Sequence, residues 1–297
     1  MLSTWGIVKE TVSEFLEDDS FSYASSIAFS TIFSLPAILI IALYIGSTFY
    51  ERNVVQDELI NQVGRLVGSE TAKEIDNILL QAAIDKSNWW ANTVGFATLL
   101  VSATTVFMSL QSSLNKIWGI KPKPKRGWVK YILNRLISLA MVMSFGFILL
   151  VSLIVDTVLV VFQDIVSRVL AGATLYFVTA LNLLISLGFV TVIFGLLFKV
   201  LPDAKIKWRH VWVGALITTL LFTFGKYLIG FYLGNSSFNS AYGAAGSLVI
   251  ILLWVYYSTV IFLFGAEFTS VYAKFSGAAI QPYSNAVKIQ TVEVEKR

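Results

Sequence analysis

The sequence predicts an all-α polytopic membrane protein, with six transmembrane helices and further amphipathic helices at the N terminus and on the extracytoplasmic side. Three observations predict it. The 297 residues are 56% hydrophobic and only 13% charged, about half the charged share of an ordinary soluble domain. The apolar residues are gathered in long runs nearly free of charge, and about 20 such residues carry a helix across a hydrocarbon core about 30 Å thick. Lysine and arginine collect in the segments on one side of those runs, which is how membrane proteins are oriented.

Taken in order, residues 3–17 place Trp5, Val8, Val12 and Phe15 at helical spacing opposite Lys9, Glu10, Glu14 and Glu17. That spacing predicts a short amphipathic helix lying along the interface before the first span. The spans follow near 22–49, 92–117, 132–161, 172–199, 210–233 and 243–272. Several exceed the minimum length, which predicts tilt or kinking. Pro36 is the expected kink in the first span, because it lacks a backbone donor. The first apolar run is preceded by Glu14, Glu17, Asp18 and Asp19 and is too long for a signal peptide, so it is expected to stay attached as an anchor.

Orientation follows from the basic residues. With the N terminus inside, the cytoplasmic segments carry Lys9; Lys116, Lys121, Lys123, Lys125, Arg126, Lys130 and Arg135; Lys199, Lys205, Lys207 and Arg209; and Lys274, Lys288, Lys296 and Arg297. The opposite side carries Arg52, Arg65, Lys73, Lys86 and Arg168. Both termini are therefore expected in the cytoplasm. The organisation read from this is a single six-helix membrane domain, residues 1–275, and a cytoplasmic tail, 276–297.

The outer segment, residues 50–91, has apolar positions at Val55, Leu59, Val63 and Leu66, a break at Gly68 and Ser69, and a second run at Ile75, Leu79 and Ala82. Two short amphipathic helices on the outer face fit this pattern, the second starting after Thr71, whose spacing to Glu74 is that of a capping box. Trp89 and Trp90 stand where an interfacial aromatic anchor belongs. The tail from Gly277 to Arg297 shows no sustained period and is left without assigned structure.

Several function classes are excluded. The chain has no cysteine and a single histidine, His210, so disulfides, thiolate metal sites and cysteine nucleophiles are ruled out. No Walker-type glycine-rich loop is present. Metal-dependent phosphodiester cleavage needs clustered carboxylates or histidines, whereas His210 has only Asp203 nearby in sequence. No catalytic residue, cofactor or metal is expected, and the pI of about 9.1 reflects membrane orientation rather than a nucleic-acid partner.

The candidate functional residues are polar groups inside apolar spans, because such groups must find partners or water. Ser22, Ser26, Ser30 and Ser34 form a four-residue ladder in the first span. Ser102, Thr105 and Ser109 form a stripe in the second, with Gln111 and Asn115 beside it, and Asn182 extends the pattern in the fourth. Each set reads either as close helix packing or as the wall of a polar pathway. Charged residues are fewer. Asp156 and Lys226 are predicted at comparable depth and form a candidate ion pair, while Glu267 lies in the inner half of the sixth span, as a functional group or as a partner of Arg135. Gly230 and Gly234 have the GxxxG spacing of a close helix contact. The loop Lys121, Lys123, Lys125 and Arg126, broken by Pro122 and Pro124, is expected to hold anionic lipid headgroups by charge. An oligomer is compatible with all of this.

Three blocks together resemble the YihY/virulence factor BrkB family. Ser20-Phe21-Ser22-Tyr23-Ala24-Ser25-Ser26-Ile27-Ala28-Phe29-Ser30-Thr31-Ile32-Phe33-Ser34-Leu35-Pro36 is similar to its opening signature. Ser109-Leu110-Gln111-Ser112-Ser113-Leu114-Asn115-Lys116-Ile117-Trp118-Gly119 is similar to the end of its second span. Tyr242-Gly243-Ala244-Ala245-Gly246-Ser247, with Leu253-Trp254-Val255-Tyr256-Tyr257 and Gly265-Ala266-Glu267, looks like its sixth. The resemblance covers about residues 10–275 and implies a bacterial inner-membrane protein of six helices. Members have been labelled ribonuclease, serum-resistance factor or lipid-export factor. With the polar stripes and Glu267 inside an apolar bundle, the expectation is a transporter or flippase-like factor for a lipid or other amphiphile. The alternative is a non-transporting scaffold that organises the envelope.

Overall fold

The computed structural model describes residues 4–67, 69–81, 89–123, 174–234, 246–278 and 280–289. The helices are α1 (Thr4–Glu17), α2 (Ser20–Gly46), α3 (Arg52–Val67), α4 (Ser69–Gln81), α5 (Trp89–Ile117), α6 (Thr174–Val200), α7 (Trp208–Gly234) and α8 (Gly246–Phe275). Among the described residues four short strands accompany them: β1 (Ile120–Pro122), β2 (Ala204–Lys205), β3 (Gln281–Pro282) and β4 (Ala286–Lys288). Among the described residues five helices are long and apolar enough to cross a membrane, over Ser20–Gly46, Ala97–Ile117, Leu183–Val200, Trp208–Ile229 and Leu248–Phe275. The predicted span at 132–161 lies outside the described residues.

Among the described helices the packing order is α5, α2, α8, α7, α6. Their outward faces keep Phe29 and Phe33 of α2, Leu183 and Leu184 of α6, and Leu216, Leu220 and Phe224 of α7 exposed. A soluble protein rarely leaves so much contiguous apolar surface uncovered; lipid covers it at no cost.

The α7–α8 seam is held by small residues. An added Cβ at Gly214 would stand 1.8 Å from Oγ1 of Thr269, and one at Gly265 would stand 1.8 Å from Oγ1 of Thr218. Each threonine donates back to the carbonyl of the glycine four residues before it, Thr218 to Gly214 at 2.7 Å and Thr269 to Gly265 at 2.7 Å. The two helices thus interlock through reciprocal glycine–threonine pairs. Gly225 makes a third close approach, beneath the hydroxyl of Tyr257. The GxxxG glycines Gly230 and Gly234 belong to α7, but their surroundings lie outside the described residues.

α1 follows the predicted helix to within a residue, and its faces divide three ways. Thr11 and Phe15 are buried where the helix docks along α8. Trp5, Val8, Val12 and Leu16 remain exposed, Trp5 by 74%, and Lys9, Glu10, Ser13 and Glu17 are exposed on a third side. Of the four apolar residues expected to face the membrane, Phe15 instead turns into the protein, because α8 competes with lipid for that side.

The two helices expected over residues 50–91 are α3 and α4. The second begins at Ser69, so Thr71 lies inside it and is not a cap; this corrects the capping-box reading. The predicted apolar positions Val55, Leu59, Ile75 and Leu79 are buried against Leu39, Ala42 and Leu43 of α2, so the pair seats on the far end of the bundle from α1.

The tail is also corrected. It forms β3 and β4, which pair antiparallel with β2 and β1: Pro122 opposite Ala286, Lys121 opposite Val287, Ile120 opposite Lys288, and Lys205 opposite Gln281. Strands of two or three residues leave no period in sequence. These pairings tie the segments after α5 and after α6 together at the end of the bundle that carries α1. α5, α6 and α8 all finish there with a lysine in the last turn, Lys116, Lys199 and Lys274, where the helix dipole favours positive charge.

Candidate functional site

The serine ladder divides along α2. Ser34 is fully buried and donates to the carbonyl of Ser102 at 2.6 Å, while Ser102 donates to the carbonyl of Phe33 at 2.8 Å. Ser109 reaches Ser30 at 3.4 Å. These residues stitch α2 to α5, and reciprocal hydroxyl-to-carbonyl bonds of this kind belong to helix packing. Ser22 and Ser26 are exposed instead, Ser22 donating to the Asp19 carboxylate at 3.0 Å. Thr105 is exposed and bonds back to Val101 at 2.9 Å. The candidates are therefore not one continuous polar wall.

Gln111 and Asn115 are buried on the inner side of α5. Asn115 makes a two-way contact with Asp203, in the connection between α6 and β2: its Nδ2 donates to Oδ2 at 3.0 Å, and its Oδ1 accepts from the Asp203 backbone N–H at 2.8 Å. The Asp203 carbonyl accepts from the backbone of Tyr283 at 3.0 Å. One residue thereby joins α5, the α6–β2 connection and the tail. Sequence reading placed Asp203 only as a neighbour of His210. His210 is itself buried, edge-on to Tyr272.

Above this node lies a cleft of about 480 Å³, lined by Glu14, Glu17 and Asp18 from α1 and its link to α2, by Lys116 of α5, by Trp118, by Ser270 and Lys274 of α8, and by Lys288 of β4. Lys274 donates to both carboxylate oxygens of Glu14, at 2.6 and 2.8 Å. Trp118 fixes the floor by donating its indole N–H to the carbonyl of Ala266 at 3.1 Å. Three acids and three lysines thus share one recess, a surface that matches a ligand bearing both signs of charge.

Behind the cleft stands Glu267, 0% exposed, with neither carboxylate oxygen hydrogen-bonded. Asp18 is the carboxyl set against it, and two ionised carboxylates, both acceptors, have no hydrogen to share. Burial raises the Asp18 carboxyl above the ordinary carboxylate range; the contact with Glu267 opposes this, Glu14 adds to it, and Lys116 and Lys274 oppose it. Sequence reading singled out Glu267 but missed Asp18 as its neighbour, since Asp18 reads there as one of a run of flanking acids.

The remaining candidates are scattered. Lys121 and Lys123 are exposed on β1 and just beyond it, while Lys125 and Arg126 lie outside the described residues. Lys226 is exposed, and its proposed partner Asp156 lies outside the described residues, as does Arg135. Asn182 belongs to α6, but its side chain is not described. Among the described residues no group of three or more histidines, cysteines or carboxylates has the geometry to hold a metal ion.

The sequence profile of the family described as Virulence factor BrkB matches residues 11–290, nearly the whole chain. The chain belongs to this family. With five described helices able to span, it is a multi-pass membrane protein of the Virulence factor BrkB family, and the matched stretch contains every residue that lines the cleft. Curated relatives carry the name UPF0761 membrane protein. The one from Verminephrobacter eiseniae is 28% identical over 90% of this chain and 62% of its own length. That from Xanthomonas campestris pv. campestris (strain B100) is 26% identical over 88% and 59%, and that from Stenotrophomonas maltophilia is 28% identical over 88% and 59%. The chain spans about three fifths of the length of these curated relatives. No solved structure matches it. Neither name states a reaction, and in this BrkB-family chain the cleft is the feature that bears on function.

Proposed function

We propose that the chain is a transporter or flippase-like factor for a lipid or other amphiphile in the bacterial cytoplasmic membrane, with both termini in the cytoplasm and no catalytic step of its own. The observation that carries this reading is the mixed-charge cleft at the end of an apolar bundle. A phospholipid presents an anionic phosphate that Lys116 and Lys288 suit, and a zwitterionic one adds an ammonium that Glu17 and Asp18 suit. The flanking residues Leu16 and Phe21 are exposed, which offers an apolar surface to chains that follow a headgroup. The orientation is supported by the lysines gathered at the cleft end of the bundle. Lys121 and Lys123 sit at the same end and are suited to anionic headgroups of the cytoplasmic leaflet.

The test is a leaflet-exchange assay. Full-length protein is reconstituted into vesicles carrying fluorescent phosphatidylethanolamine, and exchange is read by quencher access. Faster exchange with the wild-type protein, slowed by Lys116→Gln combined with Lys288→Gln, is the expected result. Equal exchange in protein-free and protein-containing vesicles, from protein shown to be folded, would overturn the transport reading in favour of the scaffold.

A further inference from the structure

We propose that Asp18 and Glu267 form a proton-binding carboxyl pair, which holds one proton between the two groups and exchanges it with water in the cleft through Asp18. The buried, unpartnered Glu267 carboxylate and the cleft-lining Asp18 set against it make such a pair whether or not the chain moves an amphiphile.

The two groups come from distant parts of the chain. Asp18 lies in the two-residue link between α1 and α2, where Asp19 takes the left-handed conformation with φ 55°. Glu267 lies two turns before the end of α8. Its carboxylate is shut off from solvent and has no hydrogen-bond partner. An ionised carboxylate in that setting has lost its water and gained nothing in return, and a second carboxyl against it makes double ionisation worse. Something positive must sit between them.

The surrounding charges do not supply it. On α1, Glu14 and Glu17 are further acids. Lys274 of α8 is taken by Glu14 and is half exposed. Lys116 of α5 and Lys288 of β4 line the cleft and are exposed. Asp19 faces outward and accepts from Ser22. Among the described residues neither Asp18 nor Glu267 has a lysine or arginine nitrogen within ion-pair distance. A headgroup ammonium cannot fill the role, because Glu267 does not line the cleft; Asp18 does. A proton needs no room beyond the contact between the two carboxyls. It comes from water at Asp18 and returns there, and the pair titrates as a unit rather than as two separate acids. The raised Asp18 carboxyl agrees with this arrangement. Losing the proton leaves two like charges between the α1–α2 link and α8, so it also weakens the docking of α1.

The test is infrared difference spectroscopy of the full-length protein in nanodiscs, between acid and alkaline pH. A protonated-carboxyl band that titrates is expected, lost in Glu267→Gln, shifted in frequency and midpoint in Asp18→Asn, where buried Glu267 keeps a proton alone, and kept unaltered in Glu17→Gln. An unaltered band in either pair variant would overturn the proposal. Should Glu267→Gln fail to fold, Asp18→Asn, outside the spans, carries the same comparison. Wild-type protein with isotope-labelled carboxyls on glutamate and aspartate needs no substitution: a titrating band that shifts with either label supports the pair, and a wild-type spectrum without such a band overturns it.

Discussion

The α7–α8 seam gives a direct test of how this bundle is held. Gly265→Ala puts a methyl group 1.8 Å from Oγ1 of Thr218, 2.9 Å from its Cβ and 3.1 Å from its Cγ2. Van der Waals contact is restored only by a retreat of about 1.5 Å. Thr218 cannot swing aside, because it is fully buried and its hydroxyl is committed to the carbonyl of Gly214. The helices must therefore part, and overpacking of a well-filled contact costs about 1–3 kcal/mol. The loss should lie near the top of that range, since parting the helices also strains the reciprocal Gly214–Thr269 contact.

The assay is equilibrium unfolding of the detergent-solubilised protein, with Gly265→Ala, Thr218→Gly and the double variant in one cycle. Thr218→Gly removes the three atoms nearest the new methyl, so the double variant should recover most of the loss, less about 1 kcal/mol for a glycine inside a helix. Gly188→Ala is the control: a Cβ there meets nothing within 4 Å, and the change should be neutral or stabilising by up to about 1 kcal/mol. If Gly265→Ala stays within about 0.5 kcal/mol of wild type, or if Thr218→Gly gives no relief, the interlocked seam is wrong.

Asn115→Ala leaves the buried Asp203 carboxylate and backbone N–H without their Asn115 partners and should cost about 1–3 kcal/mol in the same unfolding measurement; no change would show that the node is not structural. The raised Asp18 carboxyl makes a signed pH prediction. A carboxyl raised in the folded state gives stability that is full below the ordinary carboxylate range and is lost as pH rises through the raised value, so wild-type melting temperature should fall from acid toward neutral pH and Asp18→Asn should flatten that fall. A steeper fall in the variant would reverse the sign of the argument. Reporter fusions after Lys86 and after Arg126 should read extracytoplasmic and cytoplasmic respectively, and a cytoplasmic signal at the first site would sink the orientation.

What the sequence discloses here is what the bilayer and helical period impose. The spans at α2, α5, α6, α7 and α8 are legible because hydrocarbon tolerates no long unpaired backbone, so each leaves an uninterrupted apolar window. α3 and α4 are legible because Val55, Leu59, Ile75 and Leu79 repeat at the helical spacing that buries one face. The partner of each face is not legible. Gly214 and Gly265 carry no mark that sets them apart from Gly230 and Gly234, because a glycine's role depends on which side chain the opposing helix presents. The four-serine ladder reads as one feature in sequence, yet Ser34 binds α5 and Ser22 meets Asp19. β4 is invisible for the same reason, since its partner β1 is distant in the chain and neither strand is long enough to show alternation.

The two ends of the bundle are built on opposite principles, and this bears on function. The α3–α4 end is closed chiefly by aliphatic packing onto α2, with Gln56 of α3 donating to the Asp76 carboxylate of α4. The α1 end is closed by charges, by the buried Asn115–Asp203 node and by strands of the tail, and its Glu14–Lys274 pair is open to water and salt. A device that must open toward one compartment requires contacts there that can be exchanged for others of similar energy. An ion pair such as Glu14–Lys274, half exposed, can trade its partner for a headgroup or for water; the apolar contacts of Leu39, Leu59 and Leu79 have no such substitute in water. If the chain is the transporter proposed above, opening is to be sought at α1, beside the Asp18–Glu267 contact.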